Sequence, residues 1–382
     1  MEKNAENHTR TQHPYHVWES LQMIPGLLRE CLDEPVQSDI QQIAADFQDR
    51  GIDKLIMLGR GSSYFAALAV EFLFEKLTQL PVSCYVTNVL QEYPYERCDA
   101  KTAVFFLSHS GKSEGDLRVV EQVRAMGAYT IGVTDIPGSD LAQAVDQLLI
   151  GPGGSKIELP ASRTYATAIY RLSLLAQALA ESLRVVGDPH EYADALLALP
   201  GQVGSFMADF ELKAPEVVAV LKDCRYQLIV GFGPNWANAG EAAMAFNQSS
   251  GIPTLRYEME NYIHGPLQGL TPEAGVIGIA PAAALQSRMF GLMAAARTIG
   301  AKTVLLAPAG TQAPAVDYLV ELPAGIPDLI SPIPCMVPLW QIGYHFGLLG
   351  NGTHPDRLSM DKPEFKEAFS YIMKEDKWVT KK

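Results

Sequence analysis

Short apolar runs alternate with helix-like segments along most of this chain. The runs LIML at residues 55–58 and AVFFL at residues 103–107 are uninterrupted, and each leads into a turn rich in glycine and serine. Continuous apolar runs of this length, bounded by turns, are typical of strands buried on both faces of a parallel sheet. Because parallel strands need helical crossovers, the alternation predicts an α/β fold with helices on both faces of its sheets.

The same order of elements occurs twice. The segment LIMLGRGSSYFAALA is followed about 172 residues later by LIVGFGPNWANAGEA, so that Gly59 and Gly61 match Gly231 and Gly233. At the same offset AVFFLSHSG lies beside GVIGIAPAA, and with one residue of slippage RAMGAYTIGVTD lies beside ARTIGAKTVLLAP. Self-similarity in this order is typical of a repeated structural unit. It predicts two tandem doubly wound domains, each with its own parallel sheet.

The repeat also suggests the domain boundaries. We expect a helical N-terminal segment over residues 1–37, a first domain over 38–200, a second over 205–350 and a C-terminal tail over 351–382, with the junction near Pro200. The N-terminal segment carries apolar residues at helical spacing, namely Trp18, Leu21, Ile24 and Leu27. The tail is charged and irregular, and the sequence leaves open whether it is a solvated end or folds over a site.

The composition restricts the partners of the protein. With 48% hydrophobic residues, each copy can bury its own core. The 30 basic and 43 acidic residues leave a net charge of −13 without a Lys- or Arg-rich run, so nucleic acid is not an expected partner. The five cysteines are scattered, which favours reduced thiols and a cytoplasmic location. We expect no membrane partner, because the chain lacks a signal peptide and a membrane-spanning stretch.

Two loops that follow predicted strands are rich in hydroxyl groups. Ligands of open parallel sheets bind beyond the carboxyl ends of the strands, where loops lead into helix N-termini. The first loop contains Gly61, Ser62 and Ser63, and Ser162 begins a later helix. The second loop contains Ser108, His109, Ser110, Lys112 and Ser113. Backbone N–H groups, hydroxyls and a nearby cation suit a phosphate dianion, so these loops predict a phosphate-binding site.

Other interpretations of these loops are less favoured. Each serine taken alone is compatible with an ordinary helix N-cap. Pro234, Asn235 and Pro281 stand where the first copy has serines, so a single phosphate would bind to the first domain. The first loop lacks the third glycine of GxGxxG, which disfavours a dinucleotide. We expect no metal or other cofactor, since the eight histidines show neither HExxH nor paired ligand spacing.

These motifs together resemble the sugar isomerase (SIS) family, above all the isomerase half of glucosamine-6-phosphate synthase and related phosphosugar deglycases. The resemblance covers residues 16–362 approximately and is carried by the GxGSSY loop, the SxSGx[ST] loop, the ASxT block at residues 161–164 and the HGPL motif that starts at His264. In that family the serine and threonine loops bind the sugar phosphate. The resemblance implies the same role for Ser62, Ser63, Ser108, Ser110, Ser113 and Ser162.

The resemblance also implies acid–base groups shared between two subunits. The family's histidine before Gly-Pro opens the sugar ring and belongs to the partner subunit, which implies this role for His264 and a homodimer for this chain. The family's tail supplies a lysine that forms a Schiff base with the open-chain sugar, and Lys362 occupies a comparable place. An exposed lysine in a charged tail is usually only solvated, so both interpretations of Lys362 stay open.

The chain departs from the family at the proton shuttle. The family's catalytic glutamate, 16 residues before the histidine, corresponds to Gln248, and a lysine three residues earlier corresponds to Ala245. An uncharged amide cannot act as a general base. Either another carboxylate has taken this role or ordinary isomerase chemistry has been lost. The carboxylates available nearby are Glu241, Glu258 and Glu260.

Two functions of different classes therefore compete. The first is an enzyme without glutaminase activity: a deglycase or deaminase of an amino-sugar or fructosamine phosphate, or an aldose–ketose isomerase. The second is a non-catalytic regulatory protein that binds a sugar phosphate. Gln248 and Ala245 favour the second, whereas His264 and the nearby glutamates favour the first. A DNA-bound regulator is not expected, because the acidic start of the chain has no basic helix-turn-helix.

Overall fold

Two parallel sheets, each of five strands, form the framework of the protein. The computed structural model describes residues 10–93, 98–155, 158, 160–185, 188, 190, 192–282, 284–350, 352–356 and 362–373. Helices connect the strands of both sheets. The predicted fold class, two tandem doubly wound α/β units, is confirmed.

The first sheet contains both of the apolar runs described above. Its strands are β1 (Lys54–Gly59), β2 (Val82–Val86), β3 (Thr102–Leu107), β4 (Tyr129–Thr134) and β5 (Gln147–Ile150). All neighbours are parallel, in the spatial order β2-β1-β3-β4-β5. The connections change direction across the sheet between β1 and β3, so a crevice opens at the carboxyl ends of these two strands.

The second sheet repeats this topology. Its strands are β6 (Tyr226–Gly231), β7 (Thr254–Glu258), β8 (Ala274–Ile279), β9 (Lys302–Pro308) and β10 (Tyr318–Leu322), in the order β10-β9-β8-β6-β7. Even the register is repeated at the offset seen in the sequence: Leu55 pairs with Val82 in the first sheet, and Gln227 pairs with Thr254 in the second.

Helices precede the first strand and then alternate with most strands of both sheets. In the described part of the chain they are α1 (His16–Glu30), α2 (Val36–Arg50), α3 (Ser62–Thr78), α4 (Thr87–Glu92), α5 (Glu114–Ala125), α6 (Asp140–Ala144), α7 (Arg163–Ser182), α8 (Ala193–Glu211), α9 (Ala214–Leu221), α10 (Asn235–Ser250), α11 (Met259–Ile263), α12 (Gln286–Ile299), α13 (Pro332–Gly347) and α14 (Pro363–Met373). Short 3₁₀ turns occur at Pro266–Gly269 and Asp328–Ile330. None of the helices that the structure describes is long and apolar enough to cross a bilayer.

Three helices bear on the predicted boundaries. Helix α1 lies in the N-terminal segment and buries Leu21 and Ile24, as its apolar spacing predicts. Helix α8 runs through Pro200, so the expected junction is helical and not a loop. Helix α14 occupies part of the tail that the sequence suggested was irregular. The domain boundaries themselves stay predictions.

The two units share one apolar core. Phe105 of the first sheet belongs to the same buried cluster as Phe246 of α10 and Ile277 of the second sheet. Helices α3 and α10 approach closely at Gly240, where a β-carbon would lie only 2.3 Å from Cε1 of Phe65. Glycine is required for such an approach. This packing brings a helix of the second unit against the first turn of α3, at the carboxyl edge of the first sheet.

Candidate active site

A cleft opens at the carboxyl ends of β1 and β3, where ligands bind in doubly wound sheets. The cleft is narrow: its cavity volume is about 20 Å³, within about 300 Å³ of space that includes open solvent. Its walls come from the two serine loops, from the end of β4 and from α7. The lining residues are Ser62, Ser63, Ala66, Leu107, Ser108, His109, Val133, Asp135, Thr164, Tyr165, Ala168 and Arg171. Four of the predicted phosphate ligands, Ser62, Ser63, Ser108 and His109, therefore face one cleft.

The first loop turns the chain sharply from β1 into α3. A β-carbon at Gly59 would lie 2.6 Å from the carbonyl carbon of Ser63, and Gly61 has a φ of 55°. Both positions need glycine. Gly233 repeats this backbone angle in the second unit, with a φ of 53°. The turn places Ser62 and Ser63 at the N-terminus of α3, where the helix dipole favours an anion.

Glu241 reaches the first loop from the second unit. Its carboxyl group lies on α10, is 1% exposed and accepts a hydrogen bond of 3.0 Å from the Ser62 hydroxyl. Its other oxygen, Oε2, is buried without a hydrogen-bond partner. Burial raises the pKa of Glu241 to about 8, with nearby Glu158 adding to the shift and Ser62 opposing it. The group is therefore largely protonated at neutral pH and can exchange its proton near that pH.

A buried hydrogen-bond network fixes α10 beside the cleft. The Tyr165 hydroxyl, from α7, donates to Asn238 Oδ1 at 2.9 Å. The Asn238 side chain donates in turn to Asn235 Oδ1 and to the Pro332 carbonyl, each at 2.8 Å. Because these groups are buried, breaking the network would leave unsatisfied polar atoms, which costs about 1–3 kcal/mol for each group. The position of Glu241 on α10 is correspondingly rigid.

The start of α7 already holds a carboxylate. Glu158 Oε1 accepts hydrogen bonds from the backbone N–H and the hydroxyl of Ser162 and, at 3.2 Å, from the backbone N–H of Thr164. Arg163 Nη1 lies 3.7 Å from the other oxygen of the same carboxylate. The donors of Ser162 are thus directed at a side chain of the protein itself. A phosphate contact for Ser162 stays a prediction, and it would require Glu158 to move.

The second loop divides its serines between the cleft and the helix that follows. Ser108 faces the cleft, whereas Ser113 caps α5 by accepting the backbone N–H of Asp116 at 3.3 Å. Arg60 of the first loop contacts Ser113 and pairs with Asp116 at 3.0 Å, which ties the two loops together. For Ser113 the N-cap interpretation therefore describes the structure. Ser110 and Lys112 are exposed.

His109 contacts the buried ion pair of Asp135 and Arg171. Its Nδ1 lies 2.8 Å from Asp135 Oδ2, and Asp135 Oδ1 lies 3.2 Å from Arg171 Nη2. Asp135 and Arg171 are each 1% exposed at the side chain, whereas His109 is 33% exposed towards the cleft. Burial alone would raise the pKa of Asp135, but the interactions with Arg171 and His109 are stronger, so its pKa is lowered. Gly151 makes room for the pair, since its β-carbon would lie 1.8 Å from Asp135 Oδ1.

The HGPL motif lies on the surface, outside the cleft. His264 is 75% exposed at its side chain, and its Nε2 is 3.4 Å from Glu260 Oε2. Arg288 binds both oxygens of Glu260 at 2.8 and 2.9 Å and lowers the pKa of this carboxyl. Glu258 caps α11 by accepting the backbone N–H of Asn261 at 2.9 Å. Of the three candidate carboxylates, Glu241 alone contacts a cleft residue among the described hydrogen bonds.

The two remaining predicted residues also lie outside the cleft lining. Gln248 is half-buried on α10, about two helical turns beyond Glu241. Lys362 is exposed directly before α14. Within a single chain, the structure does not bring either side chain to the serine loops. A catalytic role for each stays a prediction.

Three buried charges at the site were missed in the sequence. Asp135 directly follows the apolar strand β4, so its place at the carboxyl edge of the sheet was a usable signal. Arg171 is a charged residue in a helix that buries mainly apolar side chains, such as Leu172 and Leu175, which also marks it as unusual. Glu158 precedes the ASxT block without any pattern that could have identified it. No group of three or more metal-ligating side chains occurs within the residues that the structure describes.

Comparison with known proteins identifies the first unit. Residues 50–178 match the family model for the SIS domain, so this part of the chain is a SIS domain, as its motifs suggested. Glutamine–fructose-6-phosphate aminotransferase (isomerizing) from Pyrococcus horikoshii is 26% identical over 306 residues, which are 80% of this chain and 50% of the relative. The enzyme of the same name from Thermococcus kodakarensis is 27% identical over 353 residues, or 90% and 57%. The chain spans about half the length of these curated relatives.

Solved structures share the whole architecture. The C-terminal domain of glucosamine-fructose-6-phosphate aminotransferase from Francisella tularensis has a TM-score of 0.82 at 17% identity and covers 90% of this chain and 98% of its own. Tagatose-6-phosphate ketose/aldose isomerase from Escherichia coli has a TM-score of 0.75 at 14% identity, with coverage of 90% and 95%. Because the identities are this low, these likenesses establish the fold alone, which this chain shares with both structures.

Proposed function

We propose that this SIS-domain protein binds a sugar phosphate in the cleft between its serine loops and transfers protons on the bound sugar. The reaction class is aldose–ketose isomerisation, or the removal of an amine from an amino-sugar or fructosamine phosphate. Both reactions pass a proton between neighbouring carbon atoms of an open-chain sugar. Both therefore need an acid–base group that can hold and release a proton near neutral pH.

The observation that carries this proposal is the carboxyl group of Glu241. It lies within hydrogen-bonding distance of a cleft serine, and its raised pKa of about 8 keeps protonated and ionised forms interconvertible near the working pH. A carboxyl group buried without a charged partner is expensive to keep, so such groups are commonly functional. Glu241 thereby supplies the chemistry that the amide of Gln248 lacks.

The serine loops are suited to the phosphate end of the ligand. Ser62 and Ser63 begin α3, and Ser108 directly follows β3, so hydroxyl groups and a helix N-terminus converge on the cleft. A phosphate bound there would place the sugar towards α7 and α10. Glu241, which hydrogen-bonds to Ser62, lies on that side.

His264 fits this proposal only if a second copy of the chain supplies it. Its exposed ring lies outside the cleft of its own chain, and the SIS resemblance implies that it serves the partner's site. An equal mixture of inactive His264→Ala and inactive Glu241→Gln proteins, unfolded and refolded together, should then regain about a quarter of wild-type activity through hybrid dimers with one intact site. A mixture that stays inactive would exclude the shared site.

The first test is turnover of defined sugar phosphates. We would incubate the protein with fructose 6-phosphate, glucosamine 6-phosphate and fructosamine 6-phosphates and follow aldose, ketose and free amine by NMR. Glu241→Gln should lower kcat by at least about a hundredfold, as is typical for removal of a general acid–base group. Glu121→Gln, a matched change at an exposed position of α5, should leave kcat unchanged. Turnover that survives in Glu241→Gln would contradict the assignment.

A second candidate function is a sensor that binds the sugar phosphate without converting it. Gln248 and Ala245 favour this function because they remove two charged groups of the family's pattern. Saturable binding with no turnover of any compound in the panel would select the sensor. Loss of binding in Ser62→Ala together with Ser108→Ala would show that the ligand occupies this cleft.

A further inference from the structure

Both the backbone and the ring of His109 interact with residues at the end of β4. Its carbonyl oxygen accepts the Thr134 hydroxyl at 2.9 Å and the backbone N–H of Asp135 at 3.3 Å. Its Nδ1 is engaged by Asp135 at 2.8 Å. The carboxylate contact fixes which ring nitrogen faces the protein. Nε2 is therefore the ring nitrogen left to contact a molecule in the cleft.

Three arginines, one in the first serine loop and two on α7, are each already paired with a carboxylate. Arg171 is matched by Asp135, and its remaining contacts go to the carbonyl oxygens of Thr134, Leu149 and Thr167 at 3.0 to 3.2 Å. Arg60 and Arg163 likewise pair with Asp116 and Glu158. These pairs carry no net charge. A phosphate dianion that enters the cleft therefore meets hydroxyl groups and dipoles, while these three arginines are already compensated and Lys112 is exposed outside the cleft lining.

We infer that His109 is a proton-coupled phosphate ligand: the imidazole takes up a proton when a phosphate dianion binds and donates its Nε2–H to a phosphate oxygen. Asp135 would then interact with two cations, Arg171 and protonated His109, and the three groups together would carry one positive charge. That charge complements the ligand. Histidine is the side chain that can gain such a charge most readily near neutral pH.

Several charged or titratable groups lie near His109 in this scheme. Arg163 acts on Asp135 from the start of α7, and Lys112 is exposed in the same loop as His109. Asp135 approaches from the end of β4, Arg171 and Tyr165 from α7, and Glu241 from α10 through Ser62. The Tyr165 hydroxyl is committed to Asn238. Glu241 is the competing acceptor for a proton, because an anion nearby would also favour its neutral form. The inference deepens the proposed function, since it concerns the same cleft.

Isothermal titration calorimetry in buffers of different ionisation enthalpy measures the protons taken up on binding. We would titrate wild-type protein at about pH 7.5 with fructose 6-phosphate, glucosamine 6-phosphate and inorganic phosphate, which are mainly dianionic at that pH. We expect an uptake of about 0.5 to 1 proton per bound phosphate. His109→Gln, which keeps an N–H donor but cannot gain a proton, should bind at least about tenfold more weakly with an uptake near zero.

Two further variants separate the contributors. Asp135→Asn should reduce the uptake as His109→Gln does, because the positioning carboxylate is lost, whereas Glu241→Gln should retain it. Equal uptake in wild type and His109→Gln, or loss of uptake in Glu241→Gln alone, would overturn the inference and leave the proposed function intact. Proton-coupled binding of inorganic phosphate without binding of any sugar phosphate would reject the proposed function and support the inference. Absence of binding by all three probes would overturn both.

Discussion

Replacing Glu241 with glutamine should abolish a steep dependence of stability on pH. The pKa of this buried carboxyl group is raised from 4.5 to about 8. The folded state therefore binds one proton more than the unfolded state between these values, so the contribution to stability is complete below about pH 4.5 and is lost as pH rises towards 8. At about 1.4 kcal/mol per pKa unit, the loss amounts to about 5 kcal/mol across the range.

The comparison of wild type with Glu241→Gln isolates this effect. The amide removes the titration but introduces its own cost, because the buried Oε2 position has no hydrogen-bond partner that could receive an N–H donor. That cost does not change with pH. We therefore expect the difference in unfolding free energy between the two proteins to shift by about 4 kcal/mol in favour of the variant between pH 5 and pH 8.

Urea unfolding at several pH values, followed by tryptophan fluorescence and far-ultraviolet circular dichroism, measures this difference. Agreement of the two probes is needed for a single free energy. Glu260→Gln is the matched control, because Glu260 is exposed on the surface and its lowered pKa lies outside the range tested. Parallel curves for wild type and Glu241→Gln over pH 5 to 8 would show that Glu241 is ionised in the folded protein, and the acid–base argument built on it would be refuted.

Two further substitutions test the packing around the site. Gly240→Ala should destabilise the protein by about 1–3 kcal/mol, because the added methyl group overlaps the Phe65 ring. Gly291→Ala, with nothing within 4 Å of the added carbon, is its control, and equal urea midpoints for the two variants would contradict the prediction. Arg171→Met should cost about 3–5 kcal/mol because Asp135 keeps a buried, half-compensated charge. Adding Asp135→Asn should restore part of that loss in thermal melts, and no recovery would disprove the coupling.

The fold could be predicted from the sequence because it depends on periodic features. Apolar runs predict the strands, and the spacing between Gly59 and Gly231 reveals the repeat. The structure shows the same offset of 172 residues between the strand pairs of the two sheets. The junction at Pro200 was harder, because a proline and a glycine in sequence suggest a break, whereas α8 continues through them. Packing of the helix against its neighbours overrides the local propensity there.

The site could be predicted only in part. Loop composition identified the serines of the cleft, because hydroxyl groups at strand ends have a local pattern. It could not show that Glu241, about 180 residues away, would hydrogen-bond to Ser62, since this contact depends on how α10 packs on α3. Nor could it show that Glu158 would occupy the donors of Ser162. Such pairings are set by tertiary structure and leave no spacing in the chain.

The contact between Ser62 and Glu241 also shows that the repeated scaffold has become unequal. The offset that relates the two sheets matches Glu241 with Ala69 and Ser62 with Pro234. The equivalent contact in the opposite direction, between Ala69 and Pro234, would therefore join a methyl group to a proline ring. On the proposed function, two similar halves would yield one reactive centre, with the serine loops from one half and the carboxyl group of Glu241 from the other. We then expect one ligand to bind per chain, and neither half alone to retain a complete site.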